Sequence, residues 1–107
     1  MISVVITKHN NEYKKIVLDG HALYDDPGFD IVCASVSVLA INTFNSIERF
    51  TEDEIVIESK ENGFMSLELI DSISNNTILL LNSLMLGLVE IQKQYGDEYI
   101  SITYKEV

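Results

Sequence analysis

A chain of 107 residues, 47% of them hydrophobic, has the length and apolar content of one ordinary domain with a single core. Its 17 acidic against 7 basic side chains leave a formal net charge of −10, which repels phosphate and argues against nucleic-acid or anionic-membrane partners while suiting a basic polypeptide. The single cysteine excludes an intrachain disulfide, and one Pro with five Gly leaves no linker-like stretch, so a single unit over residues 1–107 in a reducing, cytoplasmic setting is expected.

Residues 1–8 alternate, with Ile2, Val4 and Ile6 on one side and Ser3, Val5 and Thr7 on the other, a period of two that predicts a strand rather than a signal peptide. Asn10-Asn11 is turn chemistry, since Asn tolerates positive φ, and Ile16, Val17 and Leu18 carry a second strand toward Gly20 and His21. Residues 22–29 (ALYDDPGF) form a break with two acids, a Pro and a Gly. From 30 to about 50 runs an apolar segment too long for a strand. Ser35, Asn42, Asn45, Ser46 and Arg49 recur in it at helical spacing, which predicts a buried helix with one wet edge.

Strands are expected over 54–59 and 64–70, joined by Glu61-Asn62-Gly63, where Asn-Gly signals a hairpin. Asn75, Asn76 and Thr77 offer N-caps for a second helix to about Tyr95, with Gly96 placed to end it. Its apolar stretch, 78–91, is too short to span a bilayer. Ile100, Ile102 and Tyr104 alternate in a closing strand over 99–105. The order ββαββαβ predicts an α+β fold, a mostly antiparallel five-stranded sheet packed with two long helices.

Candidate chemistry lies in residues 18–38. With Asp30 as N-cap of the first helix, its carboxylate is placed to accept the N–H of Cys33 at N3. Cys33 then sits in the first turn, where free amides and the helix dipole favour a thiolate. Asp30, Cys33 and Ser37 fall at i, i+3 and i+7 on one face, and His21 ends the preceding strand across the break. A thiolate needs an imidazole to protonate the amine that leaves when a peptide bond is cleaved, and helix-start amides, that of Cys33 included, are candidate oxyanion donors. Asp30 can cap the helix or orient His21, and the residues alone do not choose. A lone Cys on an apolar helix also fits plain core packing, His21 and His9 fit structural or surface roles, and Ser37 fits a small packing residue. Asp25-Asp26 and Asp53-Glu54 read as solvated surface rather than acid–base pairs. No P-loop, GxGxxG, HExxH or metal-ligand spacing occurs, so neither cofactor nor metal is expected.

Gly20-His21-Ala22 followed by Gly28-x-Asp30-Ile31-Val32-Cys33-Ala34 and then Ser37 resembles the signature of the bacterial ribosomal-processing cysteine protease (Prp) family. The distinctive match covers about 20 residues, and Ser35 stands where the family commonly carries Ala or Gly. The resemblance implies a cytoplasmic, homodimeric cysteine endopeptidase that removes the N-terminal extension of a large-subunit ribosomal protein precursor at an apolar, Phe-containing motif. It implies His21 and Cys33 as the catalytic dyad and Asp30 and Ser37 as supporting positions. Gly20, Ala22 and Gly28 are the expected substrate-loop positions; the two glycines bracket a segment that reads either as a lid closing over the peptide or as an ordinary flexible connection, and the residues alone do not choose. Two other classes remain open: a non-catalytic acidic dimer that binds a ribosomal protein, and a thiol-dependent acyl transferase or redox sensor, the latter weakened by the lack of a resolving second Cys.

Overall fold

The computed structural model describes residues 1–26 and 28–107; Pro27, in the break between His21 and Cys33, lies outside the described residues. Seven elements follow in chain order: β1 (Ile2–His9), β2 (Glu12–Asp19), α1 (Ile31–Phe50), β3 (Ile55–Lys60), β4 (Phe64–Leu69), α2 (Asn75–Tyr95) and β5 (Ile100–Glu106). The α+β order read from the sequence is the observed one. The sheet runs β3-β4-β2-β1-β5, with three antiparallel pairings and a parallel one between β1 and β5.

The first hairpin turns on Asn10 and Asn11, at φ 49 and 64°, a conformation that Asn side chains tolerate better than most. Alternation then decides which side of the sheet is covered. Val4, Ile6, Ile16, Leu18 and Leu67 point under the helices and are buried, whereas Val5, Lys15, Val17 and Glu68 lie on the uncovered face. From α1 the stripe Val32, Val36, Ala40, Phe44 and Ile47 meets this surface, and α2 adds Leu81, Leu84 and Leu88. The helices touch closely at Gly87, where a Cβ would come within 2.7 Å of Leu39 Cδ1.

Two expectations about the helices are corrected. α1 is not a buried helix with one wet edge, because a single sheet face and one neighbouring helix cannot surround it. Its outward face is broad and keeps apolar side chains in solvent, among them Ile31, Val38 (65% exposed) and Ile41. α1 is long and apolar enough to cross a bilayer by length and composition, yet its inward stripe packs on the sheet. α2, in turn, is capped by Ser74 rather than by Asn75, Asn76 or Thr77. The Ser74 hydroxyl accepts the Thr77 N–H at 3.3 Å.

The reason for that register is Asp53, also misjudged as plain solvated surface. Its Oδ2 accepts the Ser74 N–H (2.9 Å), the Ser74 hydroxyl (2.8 Å) and the fully buried Thr77 hydroxyl, binding the segment after α1 to the start of α2. The Thr77 hydroxyl donation, then the Ser74 N–H, outweigh desolvation and hold this carboxyl below its ordinary value.

Candidate active site

Cys33 sits in the first turn of α1, half-buried, and His21 follows the end of β2, exposed. The break between them folds back so that His21 Nδ1 stands 4.0 Å from Cys33 Sγ. That is a loose approach, of the kind unliganded catalytic pairs show before substrate tightens them. Two clefts meet at this pair. One runs between α1 and the β3–β4 hairpin, bordered by Leu18, Val36, Ala40, Phe64 and Met65; the other lies under the loop, bordered by Leu23, Asp25, Gly28 and Ala34. His21, Cys33 and Ser37 line both. The two clefts therefore adjoin at the sulfur and the imidazole.

Asp30 caps α1 as its position implies. Oδ1 accepts the Cys33 N–H at 2.9 Å, while Oδ2 accepts the Tyr24 N–H at 3.0 Å. Both oxygens are thereby committed to backbone amides, and of the two roles open to Asp30 the geometry selects capping over orienting His21. Burial pushes the Asp30 carboxyl up, but the N–H groups of Cys33, Tyr24, Asp25 and Val32 outweigh it and hold it below its ordinary value. One expectation is overturned here: the Cys33 N–H faces Asp30 and is not free for an oxyanion.

The remaining loop positions divide by role. Ala22 is buried at 1% exposure and anchors the strand end. Gly20 (φ 103°) has no room for a side chain, since a Cβ would stand 2.5 Å from the Met1 carbonyl oxygen, whereas Gly28 (φ 89°) faces open space. Tyr24, which the sequence reading passed over, packs edge-on against Tyr95 and Tyr99 at centroid distances of 5.4 and 5.1 Å. Any closure of this loop as a lid has to keep or break that aromatic latch. Also passed over was the β3–β4 hairpin as a wall of the first cleft; Asn62-Gly63 signals the turn, but nothing local says that its tip reaches His21.

A first-turn thiol facing an imidazole where two clefts meet is an arrangement that cysteine proteases use, and similarity to known proteins gives the class. The sequence model of the family described as cysteine protease Prp matches residues 1–101. The ribosomal processing cysteine protease Prp of Staphylococcus aureus, in strains Mu50 and NCTC 8325, is 32% identical over 108 residues, covering 98% of this chain and 100% of the relative. Two crystal structures of an essential ribosomal processing protease Prp from S. aureus are also similar. The one with a covalently linked product peptide has a TM-score of 0.91 at 30% identity, and the one with a substrate peptide 0.86 at 28%; each comparison covers 98% of this chain and 100% of the other. The chain belongs to the Prp family of cysteine proteases. The non-catalytic binder and the redox or acyl-transfer alternatives give way to that assignment.

Proposed function

We propose that the chain is an endopeptidase that removes the N-terminal extension of a large-subunit ribosomal protein precursor, with Cys33 as nucleophile and His21 as general acid and base. The observation that carries the reading is the 4.0 Å approach of His21 Nδ1 to Cys33 Sγ where two clefts join. The S. aureus relative is named for ribosomal processing and has been solved with a covalently linked product peptide, which supports both the substrate class and a covalent route.

In this reading the peptide lies across the groove with its scissile carbonyl over Cys33. The Cys33 thiol passes its proton to His21 and the thiolate adds to the carbonyl carbon, forming a C–S bond. As the tetrahedral adduct collapses, the C–N bond breaks and His21 protonates the departing amine. His21 then takes a proton from water, whose oxygen adds to the thioester carbon; the C–S bond breaks, the acid product leaves, and His21 returns its proton to the Cys33 sulfur. Asp30 holds Cys33 and the loop in register through their amides, and Ser37 lines the groove one turn beyond Cys33. Apolar walls from Leu18, Val36, Phe64 and Met65 suit a Phe-containing leader.

The chain acts as a cytoplasmic homodimer on this view, without nucleic acid, membrane, metal or cofactor. Support for the dimer is the apolar outward face of the helix pair, where Val38 and Ile41 of α1 and Leu79 and Leu86 of α2 stand in solvent. The −10 net charge suits a basic ribosomal protein and disfavours phosphate. The test is cleavage of the extended precursor by wild type, Cys33→Ala and His21→Ala. Both variants fold and lose cleavage; an active Cys33→Ala overturns the reading.

A further inference from the structure

We infer that Gly63, at the tip of the β3–β4 hairpin, is a positioning residue for the His21 imidazole and that its lack of a side chain is a catalytic requirement. The inference rests on the proposed His21–Cys33 pair and adds a third segment of chain to it. A Cβ on Gly63 would stand 3.1 Å from His21 Cε1 and 2.5 Å from the Gly20 carbonyl oxygen. The first distance is tighter than ordinary carbon contacts, and the second is possible only if backbone moves. Cε1 is the ring carbon between the two nitrogens, so whatever touches it limits the swing of the edge that carries Nδ1 toward the sulfur. Torsion about χ2 of His is broad, and Cys33 Sγ is the imidazole's one partner at hydrogen-bonding range among the described residues. Packing against the hairpin backbone therefore has to supply the orientation that hydrogen bonds do not.

The hairpin is itself fixed. Met65 pairs with Leu18 on β2, two residues before Gly20, and Phe64 pairs with Lys60 across the hairpin. Gly63 is thus carried to the end of β2 by the same ladder that delivers His21, and its φ of 76° turns the chain there. A glycine answers two separate demands at this point, a left-handed backbone and a missing Cβ. Only the second concerns the imidazole.

The two demands are separated by comparison. Gly96 also has a positive φ (113°), but the nearest atom to its Cβ position is the Glu98 side chain at 3.6 Å, far along the chain from the hairpin. Gly96→Ala therefore carries the backbone strain without the contact. Wild type, Gly63→Ala, Gly63→Asn and Gly96→Ala would be assayed with a quenched fluorogenic peptide copied from the Phe-containing leader junction, together with Cys33→Ala. The 1H–13C Cε1 signal of His21 would be titrated in each. Expected for both Gly63 variants is a tenfold or greater fall in kcat, with KM within threefold, a displaced acid limb in kcat/KM against pH and a displaced His21 Cε1 titration. Gly96→Ala should match wild type in all four even where its Tm falls. In the wild type a nuclear Overhauser contact between Gly63 Hα and His21 Hε1 is expected, a measurement that needs no variant to fold. Absence of that contact, or a folded Gly63→Ala with wild-type kcat and His21 titration, overturns the positioning role. Retained cleavage by Cys33→Ala would instead overturn the dyad while leaving the Gly63 contact and the His21 titration to be read independently.

Discussion

Asp30 Oδ2 accepts the backbone N–H of Tyr24 at 3.0 Å. The same carboxylate holds Cys33 through its other oxygen at 2.9 Å, so one side chain joins the start of α1 to the loop that leaves His21. Removing it should affect the site twice. Asp30→Ala is expected to lose about 1–2 kcal/mol of stability, the usual cost of deleting an N-cap acceptor, and to lower cleavage more than the stability loss explains. Asp30→Asn keeps one carbonyl oxygen and should fall between. Urea unfolding beside kcat/KM checks this, and an Asp30→Ala enzyme with wild-type values in both is the contrary result.

Acid should expose the same link. The Asp30 and Asp53 carboxyls both lie below their ordinary value in the folded chain, so the unfolded state takes up their protons first as pH falls. Their stabilisation is fully present above the unfolded carboxylate pKa of about 3.9 and is lost as pH drops through the folded values. The urea midpoint should hold steady between pH 7 and 5 and decline below about 4. In the Asp30→Asn/Asp53→Asn double variant the decline should be shallower from a lower start; an identical slope would contradict the assignment.

Tyr24 ties the loop to the far end of α2 and to the entry of β5 through Tyr95 and Tyr99. Edge-on aromatic pairs contribute about 0.5–1.5 kcal/mol beyond area burial. Tyr24→Ala should therefore speed amide exchange over residues 22–29 by roughly tenfold, while Tyr24→Phe, which keeps the ring, should not. Equal exchange in both variants would show that the latch holds nothing.

A sulfur poised beside an imidazole should react sooner than one without it. Iodoacetamide at pH 7 is expected to label Cys33 more slowly in His21→Ala than in wild type, read by intact-mass spectrometry. The contact at 4.0 Å predicts a modest ratio in the free enzyme and a larger one once a peptide orders the groove.

The outward apolar face of the helices carries the dimer proposal. Val38→Asp/Leu86→Asp places two charges where both side chains are 65% exposed, so the monomer fold should survive. Light scattering after size exclusion should show wild type at twice the chain mass and the variant at once that mass. A wild-type monomer at tens of micromolar would remove the dimer from the proposal.

Local pattern was enough to reveal much of this protein. Alternation at Ile2, Val4 and Ile6, the Asn10-Asn11 and Asn62-Gly63 turns and the apolar runs of two helices gave the element order, because period and turn chemistry act within a few residues. Asp30 as cap of the Cys33 turn was legible for the same reason, a contact three residues apart. What no local pattern carried was the far partner of each polar group. That Asp53 selects Ser74 as the cap of α2, that Asp30 also holds the Tyr24 amide, and that the Gly63 turn stands beside His21 all depend on how the fold brings separate segments together. The outward face of α1 belongs to the same class. Hydrophobicity along the chain measures what a side chain would prefer, and only packing of the layers decides which apolar residues are given a neighbour.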